Sequence, residues 1–340
     1  MFQKPPRSCY GQDMSSDHSP RNEAQTGPVL SSDPAWPRTG GWGPLPEAGV
    51  HVDMALVGIP TSRTSLSPTN AHETPAAVRA ALRRYSGHVV APGFPGRRRL
   101  ENELVLDEAL TIIDAGDAID PDTEVGEAAA RALVASLAAR ADLVVSLGGD
   151  NSLTVPAALG VYGDDLETAG LITLDAHHDL RDGRSNGSPV RRLIEAGLNP
   201  RRIVQIGIAD FANSAEYRRR AKEYGITVIH RDELHTRTMH DVIEEALHIA
   251  GSGGGPLHVD LDVDVCDRSV APGCPASIPG GIQAHELRLA ARLLAADSRV
   301  RGIDIAEVDV TVDTPDQRTV RLAALCVLEA AAGLASRPGR

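Results

Sequence analysis

The sequence predicts an α/β fold built on one sheet of parallel strands with helices on both faces. From Asp53 onward, short apolar segments alternate with longer amphipathic ones, which is typical of repeated βα units. The short segments are apolar at nearly every position, so both faces of each strand are expected to be covered, as in parallel sheets. No long linker divides the 340 residues, and a chain of this size can form one large core. We therefore expect a single domain over residues 51–336.

Apolar runs and amphipathic segments place the elements in order. The predicted strands are Met54–Gly58, Thr111–Asp114, Leu143–Leu147, Leu171–Leu174, Ile203–Gly207, Thr227–Ile229, Leu257–Leu261 and Gly302–Val308. The predicted helices are Pro75–Tyr85, Glu124–Arg140, a segment after Ser152, Pro189–Ala196, Ala212–Tyr224, Met239–Ala250, Ala284–Ala296 and Val320–Ala335. The hydroxyl-rich segment from Thr61 to Thr69 is expected to be a plain loop, with a loop whose side chains line the mouth of the substrate site as the alternative.

Residues 1–50 have a different composition, rich in Pro, Ser, Gly, Asp and Arg and without an apolar period. Such a segment buries too little apolar surface to order itself. We expect a disordered or loosely attached tail, with Trp36 and Trp42 as anchors on the domain.

Charge and composition exclude several classes of function. The net charge of −12 argues against nucleic acid or an anionic membrane as a partner. Aromatic residues make up 3% of the chain, which disfavours stacking platforms for bases. No apolar run approaches membrane-spanning length, and no hydrophobic signal segment is present, so we expect a cytoplasmic protein. The four cysteines, Cys9, Cys266, Cys274 and Cys326, show no paired spacing and are expected to be reduced thiols.

Acidic and histidine side chains follow the predicted strand Leu171–Leu174. Asp175, His177 and Asp179 lie two residues apart, and such side chains point to the same side of an extended chain. Two carboxylates and an imidazole facing each other desolvate poorly unless a positive group lies between them. Alone, this stretch fits either a metal site or a solvated acidic loop with an incidental histidine.

Other predicted strand ends carry side chains of the same kind. They are Asp150 with Asn151, the alternating Asp260, Asp262 and Asp264, and the final set Asp304, Glu307 and Asp309. Carboxylates without partners are almost never fully buried, and ligands of parallel sheets bind beyond the carboxyl ends of the strands. A salt-bridge network explains one acidic strand end, but not several on one rim. The residues therefore predict a centre for hard divalent ions such as Mn²⁺, with enough carboxylates to bridge two ions.

These motifs resemble a known family. The strings SLGGDNS, LDAHHDLR, DLDVDVCDRSVAPGCPASIPGG and DIAEVD are similar to the successive signatures of the arginase/agmatinase/formimidoylglutamase (ureohydrolase) family. The resemblance implies a three-layer α/β/α fold around a parallel, mostly eight-stranded sheet, with two Mn²⁺ ions per subunit. It also implies a small-molecule substrate and a homo-oligomer, either a trimer or a hexamer.

The resemblance assigns a role to each matching residue. It implies that one ion is held by Asn151, Asp175, Asp179 and Asp262, and the other by Asp175, His177, Asp262 and Asp264. Asp179 would also take a proton from the nucleophile and pass it to the leaving amine. Glu307 would pair with the cationic head of the substrate.

The chain departs from the family pattern at three positions. Asn151 stands where the family usually has histidine, and because an amide oxygen is a weaker ligand, the first ion is expected to bind more weakly. Asn186 stands where arginases place a proton-shuttling histidine, and Asp260 replaces a usual serine. The additional imidazoles of His178 and His258 are expected to support or pack near the site, with compensation for Asn151 as the alternative.

Arg181 is the residue that bears most on the substrate. A guanidinium just beyond the metal ligands would attract a carboxylate bidentately and repel a second amine. The alternative is a loop arginine that balances nearby acids, and Arg184 and Arg191 either reinforce it or lie on the surface. The expected substrate-binding residues are Arg181, Asn186, Ser188 and Glu307.

The stretch Asp175–Asn213 most resembles the formimidoylglutamase branch of the family. It implies hydrolysis of N-formimidoyl-L-glutamate to L-glutamate and formamide, as in histidine degradation. One alternative is a guanidino acid, with agmatine disfavoured by Arg181 and urea as the product. An alternative of another class is a metal-poor scaffold without activity, suggested by Asn151 and Asn186.

Overall fold

The computed structural model describes residues 33–47, 49–90 and 103–339, so most of the predicted tail lies outside the described residues. Its strands are β1 (Val52–Ile59), β2 (His88–Val89), β3 (Leu104–Val105), β4 (Ile112–Asp117), β5 (Ala141–Gly148), β6 (Gly170–Leu174), β7 (Ile203–Ile208), β8 (Thr227–His230), β9 (Leu257–Asp262) and β10 (Val300–Ala306). Its α-helices are α1 (Thr74–Leu82), α2 (Leu106–Ala109), α3 (Glu124–Ala138), α4 (Thr154–Tyr162), α5 (Pro189–Ala196), α6 (Ala215–Tyr224), α7 (Met239–Ala250), α8 (Ala284–Ala295) and α9 (Arg318–Ala335).

An eight-stranded sheet in the order β4-β1-β5-β10-β9-β6-β7-β8 forms the centre of the fold. Every pair of neighbouring strands in it is parallel, which confirms the predicted parallel, mostly eight-stranded sheet. The last two strands of the chain, β9 and β10, lie in its middle and separate β5 from β6. The direction of strand addition therefore reverses at the centre, where parallel sheets bind their ligands.

Helices cover both faces of the sheet and divide the apolar core in two. Met54 and Leu56 of β1 face a core shared with α1, α7, α8 and α9. Ala55 and Val57 face the second core, shared with α3, α4 and α5. Successive residues of one strand serve opposite cores, which explains the uninterrupted apolar runs. The predicted three-layer α/β/α architecture is confirmed.

Local backbone features correct some predicted boundaries. The helix predicted from Ala212 begins at Ala215, because the Ser214 hydroxyl accepts a hydrogen bond from Tyr217 N and caps the helix there. The strand predicted to reach Val308 ends before Glu307, whose φ of 65° cannot continue an extended chain. The short strands β2 and β3 and the single-turn helix α2 were not predicted.

Part of the predicted tail contacts the domain. Trp42 Nε1 donates a hydrogen bond to Asp107 Oδ1 at 2.8 Å, and Gly43 forms a parallel bridge with Ile113 of β4. Trp36 is 50% exposed and contributes less to anchoring. The region that precedes β1 is therefore attached through Trp42 and its neighbours from residue 33 onward.

Three of the four cysteines lie within the described residues. Cys266, Cys274 and Cys326 are buried and form no disulfide with one another, while Cys9 lies outside the described range. Burial raises the pKa of each of these thiols, so they are protonated and unreactive. Across the described residues, no helix has both the length and the apolar character needed to cross a bilayer.

Candidate metal centre and active site

The carboxyl ends of four adjacent strands bring the acidic side chains to one rim of the sheet. β5 leads into Asp150 and Asn151, β10 into Glu307, β9 into Asp264, and β6 into Asp175. Because β5, β10, β9 and β6 are neighbours in the sheet, segments far apart in sequence meet here. The arrangement is the one expected from the strand ends.

Asp175, His177 and Asp264 form the tightest cluster on this rim. One ligand atom from each lies within 4.8 Å of the other two. His177 Nδ1 is 2.6 Å from Asp264 Oδ2 and 3.5 Å from Asp175 Oδ1. Backbone amides fix the two carboxylates: Ala176 N donates to Asp264 Oδ1 at 2.8 Å and His177 N to Asp175 Oδ1 at 2.6 Å. The loop that follows β6 therefore holds both carboxylates in place.

Electrostatics within this cluster favour a bound cation. Burial raises the pKa of Asp175 well above its usual value, and Asp264 raises the pKa of His177 to about 12. Asp175 Oδ2 is buried and receives no hydrogen bond from the residues that the structure describes. A divalent cation would supply this missing partner and take over the neutralising role of the imidazolium proton. The residues present thus fit a metal ion.

Asn151 and Asp179 lie together beside that cluster. Asn151 Nδ2 donates to Asp179 Oδ2 at 2.8 Å, while Asn151 Oδ1 accepts a hydrogen bond from the Thr154 hydroxyl at 3.0 Å. The nitrogen of the amide thus faces the carboxylates, and coordination through Oδ1 requires the amide to rotate. Burial raises the pKa of Asp179 to about 7 against the opposing effect of His177. Asp179 also has a φ of 52°, a strained conformation of the kind found at functional sites.

Asp262 completes the predicted ligand set. It is 3% exposed and its Oδ1 accepts a hydrogen bond from Asp264 N at 2.8 Å. Burial raises its pKa well above the usual value, with further contributions from Asp264 and Asp175. All six predicted ligands therefore lie on one rim, with Asp175, His177 and Asp264 the most closely grouped.

Glu307 faces the same cavity from β10. Its Oε1 accepts hydrogen bonds from Asn151 N and Asn186 Nδ2, both at 2.8 Å. Burial raises the pKa of Glu307 to about 8, and the nearby Asp150 adds to the effect. A cationic substrate group would favour the ionised form. Asn186 also accepts a hydrogen bond from Leu66 N at 3.0 Å, so it orients Glu307 from the cavity wall.

A cavity of about 440 Å³ opens above these side chains. Its acidic base includes Asp179, Asp262, Asp264 and Glu307, and Arg181 lies on its wall. No other lysine or arginine of the described chain lines it. The cavity therefore combines a negative base with one exposed guanidinium.

Neighbouring groups hold Arg181 on the cavity wall. Its guanidinium carbon lies 5.9 Å from the centre of the Tyr217 ring, within range of a cation–π contact, and the backbone amide of Arg181 donates to Gly187 O at 2.9 Å. A Cβ on Gly187 would lie 2.7 Å from Arg181 Cδ. Glycine at that position thus leaves space for the arginine side chain.

Three other residues considered for the substrate lie elsewhere. Arg184 pairs with Glu127 of α3 at 3.0 Å, and Arg191 donates to Arg181 O at 2.5 Å. Neither lines the cavity. The Ser188 hydroxyl bonds to both backbone groups of Ser185 and is fully buried. Ser188 does not line the cavity, and its expected contact with the substrate stays a prediction.

Several residues that line the cavity were not predicted as site residues. They are Leu66, Ser67, Leu180, Gly187, Ala212, Asn213, Ser214, Tyr217 and Ala276. Leu66 and Ser67 belong to the hydroxyl-rich segment that was expected to be a plain loop. The alternative expectation, that this loop lines the mouth of the site, therefore fits the cavity better.

The additional imidazoles face away from ligand positions. His178 Nδ1 lies 2.8 Å from Gln205 Oε1, and burial lowers its pKa. His258 Nε2 lies 2.7 Å from Asp304 Oδ2, one layer below the rim. These contacts fit the expected supporting or packing role and leave neither residue as a substitute for Asn151.

Comparison with known proteins identifies the family. The sequence model described as "Arginase family" matches residues 52–333. Formimidoylglutamase of Halalkalibacterium halodurans is 34% identical over 293 residues, which cover 83% of this chain and 88% of that protein. Guanidinopropionase of Pseudomonas aeruginosa is 28% identical over 313 residues, covering 89% and 90%. The crystal structure of formimidoylglutamase from Bacillus subtilis superimposes with a TM-score of 0.78 at 28% identity and covers 93% of this chain and 98% of that one. The chain therefore belongs to the arginase family, whose members hydrolyse C–N bonds of amidino compounds.

Proposed function

We propose that the protein is a manganese-dependent formimidoylglutamase, which hydrolyses N-formimidoyl-L-glutamate to L-glutamate and formamide. The observation that carries the proposal is the position of Arg181 on the wall of a cavity with an otherwise acidic base. One end of the substrate is a cationic amidine and the other carries carboxylates. The charges of the cavity match both ends. The 34% identical relative from Halalkalibacterium halodurans has the same activity in its name.

Manganese is proposed because of the donor set. Carboxylates predominate, with the single imidazole of His177 and the amide of Asn151, and such sites prefer hard divalent ions over thiolate-binding zinc. Asp175, His177, Asp262 and Asp264 would hold one ion; Asn151, Asp175, Asp179 and Asp262 would hold the other. Two divalent ions supply the Lewis acidity that makes water nucleophilic near neutral pH.

The residues of the chain would act on the substrate in defined ways. Glu307 would hold the protonated amidine through a charge-assisted hydrogen bond, with Asn186 and the Asn151 amide fixing its Oε1. Arg181 would bind a carboxylate of the glutamate part, which fixes the reacting carbon above the acidic base.

Proton transfer would fall to Asp179. Its carboxylate lines the cavity beside the acidic base, where it can accept a proton from the nucleophile and return it to the leaving group. The water oxygen bonds to the amidine carbon, and the bond from that carbon to the glutamate nitrogen breaks. Asp179 takes the first proton that the water loses and gives it to the departing nitrogen. The remaining hydroxyl proton passes to the same nitrogen as the C–N bond breaks, so the amine leaves as an ammonium group. Formamide and glutamate result, and no further reactant is needed.

A substrate panel tests the proposal. Full-length protein loaded with Mn²⁺ would be given N-formimidoyl-L-glutamate, 3-guanidinopropionate, 4-guanidinobutyrate and agmatine, with formamide, glutamate and urea measured separately. We expect formamide and glutamate in equal amounts from the first compound and little urea from the others. Release of urea from a guanidino acid, without release of formamide from N-formimidoyl-L-glutamate, would overturn the proposal.

A guanidino acid is the second candidate substrate. The 28% identical guanidinopropionase supports this candidate, and the match covers 90% of that protein. Arg181 would bind its carboxylate equally well, while Glu307 would face a guanidinium in place of an amidine. Agmatine is disfavoured because its second amine would meet Arg181.

A further inference from the structure

Asp260 is a buried carboxylate that the proposed mechanism does not use. It lies on β9 two residues before Asp262, so both side chains point to the same face of the strand. Asp260 is 0% exposed, and its Oδ1 has no hydrogen-bond partner among the described residues. A buried carboxyl oxygen without a partner is unfavourable. The position therefore calls for a positive group that the neighbouring side chains do not provide.

The register partners of Asp260 on the two neighbouring strands differ from it in charge or in pairing. Asp304 is its register partner on β10, yet Asp304 is paired with His258 Nε2 at 2.7 Å and approached by the Thr154 hydroxyl at 3.4 Å. On the other side, Thr173 of β6 is its register partner and carries no charge. Asp304 thus has a basic partner, whereas Asp260 has none.

Asn151 marks the place where a positive group would lie. Its Nδ2 is 2.8 Å from Asp179 Oδ2 and 3.4 Å from Asp260 Oδ2. One point in the site is therefore within reach of both carboxylates, and it is now filled by the weakly positive hydrogens of an amide. If the amide rotates, Thr154 can accept from its nitrogen and donate to Asp304 Oδ1. The amide oxygen of Asn151 would then face the same point as the two carboxylates.

We propose that Asp260 is a ligand of the ion held by Asn151 and Asp179. It would supply the anionic oxygen donor that makes up for the weak amide at position 151. Carboxylate oxygens are preferred by Mn²⁺, Mg²⁺ and Ca²⁺, so a hard divalent cation is the ligand class. This inference rests on the metal centre of the proposed function, and the experiment below separates the two.

The test measures metal binding in the full-length chain. Mn²⁺ content after desalting would be measured by mass spectrometry of the metal, and binding would be titrated by the EPR signal of free Mn²⁺. We expect two ions for the unchanged protein and one for Asp260→Ser and the isosteric Asp260→Asn, with a rise of roughly tenfold or more in the Kd of one site. The EPR signal of two magnetically coupled Mn²⁺ ions should disappear together with the second ion.

Two further variants distinguish a ligand from a structural residue. Asp304→Asn removes a carboxylate from the same buried row but keeps a partner for His258, and we expect it to bind both ions. Asn151→His in the Asp260→Ser background provides a stronger ligand and should restore the second ion. The increase in melting temperature on adding Mn²⁺ should be smaller in Asp260→Asn than in the unchanged protein.

The outcomes are separable. If Asp260→Ser and Asp260→Asn both bind two ions with unchanged Kd, the ligand role of Asp260 is overturned and the proposed function stands. If Asp304→Asn loses an ion to the same extent, the effect belongs to buried charge in general and the inference is also overturned. If the unchanged protein binds no Mn²⁺, both the inference and the metal centre of the proposed function are overturned.

Discussion

Replacing Arg181 by alanine tests whether the cavity binds a carboxylate of the substrate. A charge pair about 4 Å apart contributes about 4 kcal/mol at an effective dielectric constant of about 20. Arg181 is exposed, so water screens the pair, and we reduce its contribution to about 1.5 kcal/mol. This corresponds to roughly a tenfold increase in KM for N-formimidoyl-L-glutamate.

The effect should fall on KM and not on kcat. Arg181 binds a part of the substrate that does not react, so the contact is equally strong in the bound state and in the transition state. Steady-state kinetics, followed by coupled detection of glutamate, would give both constants. Raising the ionic strength should increase the KM of the unchanged protein more than that of Arg181→Ala, because salt screens the lost interaction.

Arg184→Ala is the matched control. Arg184 lies three residues further along the same loop, but its guanidinium is paired with Glu127 outside the cavity. Its removal should leave KM within about twofold. Arg181→Lys should give an intermediate KM because it keeps the charge without bidentate geometry. Equal KM values for Arg181→Ala and the unchanged protein would show that the carboxylate is bound elsewhere.

Four other outcomes follow from the structure. Calorimetry of the metal-free protein should show a loss of stability as pH rises from 4.5, the ordinary pKa of glutamate, through the pKa of about 8 of Glu307 in the folded state, because a raised pKa favours the folded state only while the group is protonated. Glu307→Gln should reduce the dependence of stability on pH, and an unchanged dependence would contradict the argument that burial raises the pKa of Glu307. Mn²⁺ binding should release a proton from His177, whose pKa is about 12 without metal. Calorimetric titration with Mn²⁺ in buffers of different ionisation enthalpy would detect this proton release, and a heat of binding that does not depend on the buffer would exclude it. Gly187→Ala should raise KM severalfold with little change in melting temperature, because its Cβ would displace Arg181; unchanged kinetics would show that the arginine adapts. Trp42→Phe should lower the free energy of unfolding in urea by about 1 kcal/mol, because it removes a hydrogen bond that attaches the segment before β1. A urea midpoint equal to that of the unchanged protein would show that this hydrogen bond contributes nothing to stability.

The sheet was predictable because most of its strands contain a short run that is apolar at nearly every position. Ala55 and Leu56 face opposite cores, so no polar residue interrupts β1 from Met54 to Ile59. The short strands β2 and β3 have two residues each, too few for any periodicity. They form only because tertiary contacts bring the two segments together.

Ligand candidates could be predicted because they immediately follow strands or alternate along them. The direction in which a loop arginine points could not be predicted. Arg184 turns away because Glu127 of α3 lies beside it, and only the packing of α3 in three dimensions reveals this. Tyr217 lies on an ordinary polar helix, and nothing in its sequence indicates that the helix borders a cavity. The roles in catalysis and metal binding, the trimer or hexamer and the cytoplasmic location stay predictions.

The central position of β9 and β10 has a consequence for synthesis of the protein. The strands β4, β1 and β5 on one side and β6, β7 and β8 on the other share no hydrogen-bonded edge, so the halves join only through the two strands made last. A nascent chain that stops before Leu257 lacks Asp262, Asp264 and Glu307 and exposes the inner edges of β5 and β6 to other chains. The residues of the proposed metal centre therefore come together only after β9 and β10 have been made, and chaperones that shield open sheet edges should matter most just before release from the ribosome.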